Sequence, residues 1–287
     1  MKVSTGLVWV LAAVFAVAGG PGVAVATEED IEVDLELALA VDVSGSIDDE
    51  EAVLQRAGYI AAFRHPRVLE AIRRGPLGRI AAAYYEWAGY GHMKVIAGWT
   101  LIHDKASALA FAAKLTKVPP ETASRTAIGS AINFAVPFFE DNEFEGQRRV
   151  LDLSGDGPNN WGGLVTVARD AALANGITIN GLPIMNGRPS RWGLPAMVNL
   201  DLYYMDCVIG GPGAFIVVTN RFKDFGSAIL RKLILEIAGK TPEKAPDAAM
   251  PSPDAVTSSM VRPAAAAMGP PCDYGERLRD SFDVDDM

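Results

Sequence analysis

The sequence has few of the side chains that soft metals require. Its 287 residues include two cysteines and three histidines, and no C-x-x-C pair occurs, which excludes a Cys₄ or Cys₂His₂ zinc site of regular spacing. Basic residues are also in the minority, with 26 Lys and Arg against 35 Asp and Glu and a net charge of −9. Because nucleic-acid binding needs clustered positive charge, this composition argues against a nucleic-acid partner.

Several common catalytic motifs are missing as well. The chain has no G-x-S-x-G, H-E-x-x-H or Walker A string, which argues against the usual serine hydrolases, zinc proteases and P-loop enzymes. Apolar residues make up 49% of the chain. The sequence can therefore form a sizeable core, and its abundant candidate metal ligands are oxygen-bearing side chains.

The N-terminus has the order of a secretory signal peptide. Lys2 precedes an apolar stretch over residues 7–18, helix breakers follow, and Ala24-Val25-Ala26 provides a small-residue cleavage site. The alternative is a membrane anchor, but the apolar stretch is shorter than the ~20 residues that a spanning helix needs. We therefore expect residues 1–26 to be removed and the mature protein to be exported, to the periplasm or the medium, without an integral membrane segment.

The C-terminal segment, residues 240–287, is acidic and rich in proline and alanine. Such a composition buries too little apolar surface to offset chain entropy, so it predicts a disordered tail. Cys272 lies in this tail and Cys207 in the preceding domain. In an oxidising compartment the two could pair and hold the tail; the alternative is a buried Cys207 and an exposed Cys272.

Residues 27–239 are predicted to form one α/β domain. Strand-like apolar runs alternate with helical patterns, beginning with the nearly apolar Val33–Asp42. Residues 79–87 and 93–100 are predicted to form a hairpin, and residues 161–174 a helix. The expected fold is doubly wound, with a mostly parallel central sheet of about six strands, one antiparallel edge strand and helices on both faces.

The polar residues of interest lie where strands end and helices begin, which is where ligands bind in open α/β sheets. One group follows the first strand, one residue precedes a helix, and one follows a later strand. The five residues are Asp42, Ser44, Ser46, Thr126 and Asp156. Five oxygen ligands with two formal charges suit a Mg²⁺-like ion that keeps an open coordination position. The alternative for Ser46 and Thr126 is a helix cap.

This pattern resembles the metal-ion-dependent adhesion site (MIDAS) of von Willebrand factor A (vWA) domains, and the chain is most similar to exported proteobacterial proteins with a single vWA domain and no assigned function. The resemblance implies that Ser44, Ser46 and Thr126 bind Mg²⁺ or Mn²⁺ directly. It implies that Asp42 and Asp156 act mostly through water, and that an acidic residue of a protein partner fills the open position. One departure is Gly155, which stands where the family usually has Thr or Ser.

The function expected from this resemblance is metal-dependent protein binding, without an enzymatic activity. The alternative is a metal-dependent hydrolase, for which the sequence offers only Asp152, His92 or His103 as a general base. A third possibility is an ion with a purely structural role. We also expect Trp161 to lie at the rim of the partner site, or instead to be an apolar staple at a helix start.

Overall fold

A computed structural model of the chain describes residues 30–89, 91–188, 196–240, 259–263 and 269–283. The predicted signal peptide lies outside the described residues. The strands are β1 (Ile31–Val33), β2 (Glu36–Asp42), β3 (Ile80–Trp87), β4 (Met93–Ile102), β5 (Phe144–Gly146), β6 (Arg149–Gly155), β7 (Ile177–Pro183), β8 (Phe215–Thr219) and β9 (Ser259–Pro263). The helices are α1 (Asp49–Arg64), α2 (Pro66–Arg73), α3 (Lys105–Lys114), α4 (Ile128–Glu140), α5 (Val165–Ala174), α6 (Leu200–Tyr203), α7 (Phe225–Ile237) and α8 (Tyr274–Asp283).

The central sheet has the strand order β4-β3-β2-β6-β7-β8-β9. Strand β4 runs antiparallel to β3, as predicted for the hairpin, and β9 runs antiparallel to β8. The strands between these two edges are parallel. Strands β1 and β5 form a separate parallel pair. The predicted fold class is therefore confirmed, and the tail contributes a further edge strand.

The two faces of β2 explain why helices cover both sides of the sheet. Leu37 and Leu39 point into a core shared with α1, α2, α3 and α7. Ala38 and Ala40 point to the opposite side, into a second core formed with α4 and α5. Successive side chains of a strand face opposite ways, so a strand with an unbroken apolar run, here residues 37–41, must be covered on both faces.

Two helices begin later than the sequence patterns imply, since a cap at Ser46 would start a helix at residue 47 and the other helix is predicted from residue 161. Helix α1 starts at Asp49 because Asp48 is its N-cap and forms a capping box with Glu51. Helix α5 starts at Val165 rather than residue 161, since Gly162 has a φ of +81°, a left-handed conformation that helices do not contain. Both shifts leave polar or aromatic side chains in loops at the carboxyl edge of the sheet.

Two parts of the tail that was predicted to be disordered are structured. Strand β9 pairs with the edge strand β8 through backbone hydrogen bonds, which composition does not forecast. Helix α8 follows Cys272, which forms a disulfide with Cys207 at a Cα–Cα distance of 5.4 Å. The prediction is corrected for these stretches, and the rest of the tail lies outside the described residues.

Among the residues that the structure describes, no helix is long and apolar enough to span a membrane.

Candidate metal centre

The five predicted site residues lie together at the carboxyl edge of the sheet. Asp42 ends β2, and Asp156 follows the adjacent parallel strand β6. Ser44 and Ser46 lie in the loop between β2 and α1, and Thr126 lies in the loop before α4. Parallel neighbours end at the same edge, so the topology brings residues from three distant parts of the chain to one place.

Hydrogen bonds connect these side chains into one chain of oxygen atoms. The Thr126 Oγ1 donates to Ser44 Oγ at 3.3 Å, and Ser44 Oγ lies 3.2 Å from Ser46 Oγ. The Ser46 hydroxyl in turn donates to Asp156 Oδ1 at 2.5 Å. Asp42 Oδ1 accepts the Ser44 backbone N–H at 2.7 Å. Three hydroxyls and the Asp156 carboxylate are therefore linked in series, and the Asp42 carboxylate is bonded to the backbone of the same loop.

Neither Ser46 nor Thr126 caps a helix. Asp48 supplies the side-chain cap of α1, and the N-cap position of α4 is Ala127, which makes no side-chain cap bond. The alternative that these two hydroxyls are helix caps is therefore wrong. The Ser46 hydroxyl bonds instead to the Asp156 carboxylate, and the Thr126 hydroxyl bonds to Ser44.

Burial makes this oxygen cluster electrostatically unfavourable without a cation. Asp42 is fully buried and Asp156 nearly so. Desolvation raises the pKa of Asp42 well above its usual range, and the charge of Asp156 raises it further. Desolvation also raises the pKa of Asp156 to about 6, against hydrogen bonds from Ser46 and Asn186 that lower it. A positive charge between the two carboxylates would favour their ionised forms.

The chemistry of the cluster fits a hard divalent ion. All donors are oxygens, and Asp42 Oδ2 is buried without a hydrogen-bond partner, as expected for an atom that faces an ion or its water. In the described part of the chain, no group of three or more His, Cys, Asp or Glu side chains could hold a metal. An ion at this site would therefore rely on the hydroxyls as well as on two carboxylates.

Sequence reasoning missed the asparagines that support the cluster. Asn160 Oδ1 accepts the Thr126 backbone N–H at 2.8 Å, and its Nδ2 lies 3.4 Å from Thr126 Oγ1. Asn159 Oδ1 accepts the Gly129 N–H at 3.0 Å, within the first turn of α4. Asn186 Nδ2 donates to Asp156 Oδ2 at 3.2 Å. Asparagine commonly caps the helix that follows it, but these three side chains bond to residues about 30 positions away. Local sequence spacing therefore does not predict their role.

At Gly155, a side chain from another part of the chain occupies the space that a Cβ would take. A Cβ on Gly155 would come within 2.6 Å of the Tyr204 hydroxyl oxygen and 2.8 Å of Asp42 Oδ2. Tyr204 is fully buried and begins a π-helical turn, residues 204–208, that follows α6. The glycine thus leaves room for a phenol beside the Asp42 carboxylate.

Trp161 lies in the loop beside the cluster and is 36% exposed. Its ring is flanked by two guanidinium groups, those of Arg125 at 5.2 Å and of Arg279 at 5.7 Å. Arg279, on α8, also donates to the Asn160 carbonyl. Because α5 begins four residues later, Trp161 is not at the position of a helix-start staple.

One of the suggested general bases is buried in the core and paired with a lysine. Asp152 is fully buried in β6, where the Lys232 ammonium lies 2.6 Å from its Oδ1. Lys232 also pairs with Glu236, one turn further along α7. His103 lies on the surface beside Asp104. These contacts join Asp152 and His103 to residues outside the oxygen cluster, so they do not support either residue as a general base there.

Solved structures share the fold at low sequence identity. The mussel byssus proximal thread matrix protein 1 with a zinc-occupied MIDAS motif is 17% identical with a TM-score of 0.52, and the match covers 73% of this chain and 49% of that one. A von Willebrand factor type A protein from Catenulispora acidiphila is 14% identical with a TM-score of 0.51, and the match covers 72% of this chain and 43% of that one. The pilus adhesin SpaC from Lactobacillus rhamnosus GG is 13% identical with a TM-score of 0.50, and the match covers 73% of this chain and 31% of that one.

These likenesses establish a vWA fold, and the chain spans about half or less of the length of these three proteins. A comparison with curated proteins gave no match. Residues 32–241 match the family described as "Protein of unknown function (DUF1194)". The chain therefore belongs to the DUF1194 family, and its domain has the vWA fold.

Proposed function

We propose that this chain is an exported vWA protein that binds Mg²⁺ or Mn²⁺ through Ser44, Ser46 and Thr126, with Asp42 and Asp156 supporting the ion mostly through water. The observation that carries the proposal is the hydrogen-bonded oxygen cluster, in which two desolvated carboxylates lie close together and Asp42 Oδ2 lacks a partner. The zinc-occupied MIDAS motif of the mussel protein supports metal binding on this fold.

The bound ion is proposed to hold a carboxylate of a protein partner. A Mg²⁺-like ion with few protein ligands retains exchangeable water positions, and a carboxylate oxygen is a suitable replacement for one of them. Trp161, exposed between Arg125 and Arg279, would contact the partner beside the ion. A single ion-bridged contact is modest, so this surrounding surface must supply the specificity.

Export is proposed from the signal-peptide pattern of the N-terminal sequence. The Cys207–Cys272 disulfide supports it, because such bonds persist in oxidising compartments.

Isothermal titration with Mg²⁺ tests the first step. Wild-type protein is expected to bind one ion, and Thr126→Ala is expected to bind it at least about tenfold more weakly, since even residues that only support a metal ligand act on that scale. Thr116→Ala is the matched control, because Thr116 lies on the surface after α3 and bonds only locally. Equal affinity of wild type and Thr126→Ala would contradict the proposed site.

Capture of cell-envelope proteins on the immobilised protein tests the second step. The expected partner binds in Mg²⁺, leaves in chelator and does not bind Thr126→Ala. Partners that bind the wild type and Thr126→Ala equally in both conditions would contradict the ion-bridged mode. If metal binds but no such partner exists, the structural-ion alternative replaces this proposal.

A further inference from the structure

We propose that Tyr204 is a positioning residue for the metal site, and that its phenol hydroxyl, in the space that Gly155 leaves open, orients the Oδ2 atom of Asp42 toward the ion. The inference rests on the proposed metal binding. It assigns a role to a residue far from the sequence motif, and it explains why this chain lacks the hydroxyl usually found at position 155.

Two glycines on neighbouring strands make room for Tyr204. A Cβ on Gly155, in β6, would come within 2.6 Å of the phenol oxygen, and a Cβ on Gly181, in β7, would come within 2.7 Å of ring atom Cδ1. Glycine inside a strand weakens it, and it often marks a place where another group approaches the backbone closely. The sheet is therefore shaped at two positions around one tyrosine side chain.

The placement of Tyr204 is also specific. It starts a π-helical turn that leads directly from α6, and Cys207 in the same turn forms the disulfide to Cys272. Such turns are rare and frequently occur at functional sites. The neighbouring Tyr203 hydroxyl already has partners, the Asn159 N–H and the Cys272 carbonyl, so the two tyrosines differ in what their hydroxyls face.

The Tyr204 hydroxyl and Asp42 Oδ2 are both buried and both without a hydrogen-bond partner. Leaving a buried polar group unpaired is unfavourable, and phenylalanine would fill the same ring space without that cost. The same Cβ position at Gly155 would touch both atoms, so they flank one small space. An ionised Asp42 gives the phenol an acceptor, and the phenol gives Asp42 a fixed orientation.

The test compares Mg²⁺ affinity, by isothermal titration, in wild type, Tyr204→Phe and Tyr85→Phe. Supporting residues of metal sites typically change affinity by about 10–100-fold, and Tyr204→Phe is expected to weaken binding on that scale. Its thermal midpoint in chelator should stay unchanged or rise. Tyr85→Phe is the matched control, a buried tyrosine whose hydroxyl bonds to the Ala131 carbonyl, and its Mg²⁺ affinity should stay unchanged.

A second variant separates a hydroxyl role from packing. Tyr204→Leu removes the ring as well as the hydroxyl, and it is expected to lower the thermal midpoint in chelator while weakening Mg²⁺ binding to a similar extent as Tyr204→Phe. Normal affinity in Tyr204→Phe together with weak affinity in Tyr204→Leu would assign the effect to packing and overturn the hydroxyl role. Unchanged affinity of Tyr204→Phe would overturn the inference while leaving the proposed function intact. Absence of Mg²⁺ binding by the wild type would contradict both.

Discussion

The Ser46 hydroxyl donates a hydrogen bond to Asp156 Oδ1 at 2.5 Å, although the two residues are 110 positions apart in the sequence. This bond joins the loop after β2 to the loop after β6. The serine is therefore part of the oxygen cluster and not part of the helix that follows it. Asp48, two residues later, has the capping role instead.

Ser46→Ala is expected to change metal affinity, and Asp48→Ala is expected to change stability. Ser46→Ala should weaken Mg²⁺ binding at least about tenfold, with little change in the free energy of unfolding measured in chelator. Asp48→Ala should lower that free energy by about 1 kcal/mol, the usual loss for a removed helix cap, with little change in metal affinity. Titration calorimetry and urea unfolding measure the two quantities. A stability loss without an affinity loss in Ser46→Ala would identify it as a cap.

Asn160 is expected to affect metal binding although it is not a ligand. Its side chain accepts the Thr126 N–H, so Asn160→Ala should let the Thr126 hydroxyl move and weaken Mg²⁺ binding by about tenfold or more. Asn175→Ala is the matched control, since Asn175 bonds only within α5. Equal Mg²⁺ affinities of the two variants would show that the Thr126 loop needs no such support.

The disulfide is expected to stabilise the fold and to hold α8 against the site. It closes a loop of 65 residues, for which a chain-entropy treatment gives roughly 4 kcal/mol as an upper figure. Cys207→Ser combined with Cys272→Ser should therefore lower the free energy of unfolding by about 2–4 kcal/mol.

The same double variant should be cleaved faster by trypsin after Arg279, whose side chain lies over Trp161 in the disulfide-bonded protein. Oxidised and reduced wild type provide the comparison. Cleavage at the same rate in all three would mean that α8 is held by its other contacts, among them the bond between Asn159 and Glu276.

Glu236 is expected to make the protein less stable as the pH rises. Burial and then the charge of Asp152 raise the pKa of Glu236 to about 8, whereas an unfolded glutamate ionises near 4.3. Between these values, roughly 4.3 and 8, the folded state keeps a proton that the unfolded state releases, so stability falls with rising pH. Glu236→Gln should flatten this slope in chelator, and the exposed Glu140→Gln should not. A slope unchanged in Glu236→Gln would contradict the assignment.

The sequence was sufficient for features that depend on local pattern. The nearly apolar β2 and the β3–β4 hairpin follow from the strand patterns, and the five candidate site residues follow from their positions where strands end or helices begin. The fold class is confirmed, and the structure brings the five residues together.

The features that were missed depend on contacts between distant segments. Asn160 bonds to Thr126 from another loop, and the Tyr204 hydroxyl, on a π-helical turn near the end of the domain, lies with Asp42 Oδ2 at Gly155. Strand β9 is held by backbone pairing with β8, which side-chain composition does not encode. A single sequence shows none of these pairings, because only the folded sheet determines which loops become neighbours.

Anomalous diffraction from crystals of the protein grown with Mn²⁺ would locate the ion. One manganese peak is expected, bounded by the hydroxyl oxygens of Ser44, Ser46 and Thr126, with Asp42 and Asp156 around its bound water. In saturating Mn²⁺, the absence of a peak at this cluster, with or without a fully occupied peak elsewhere, would rule out the proposed site.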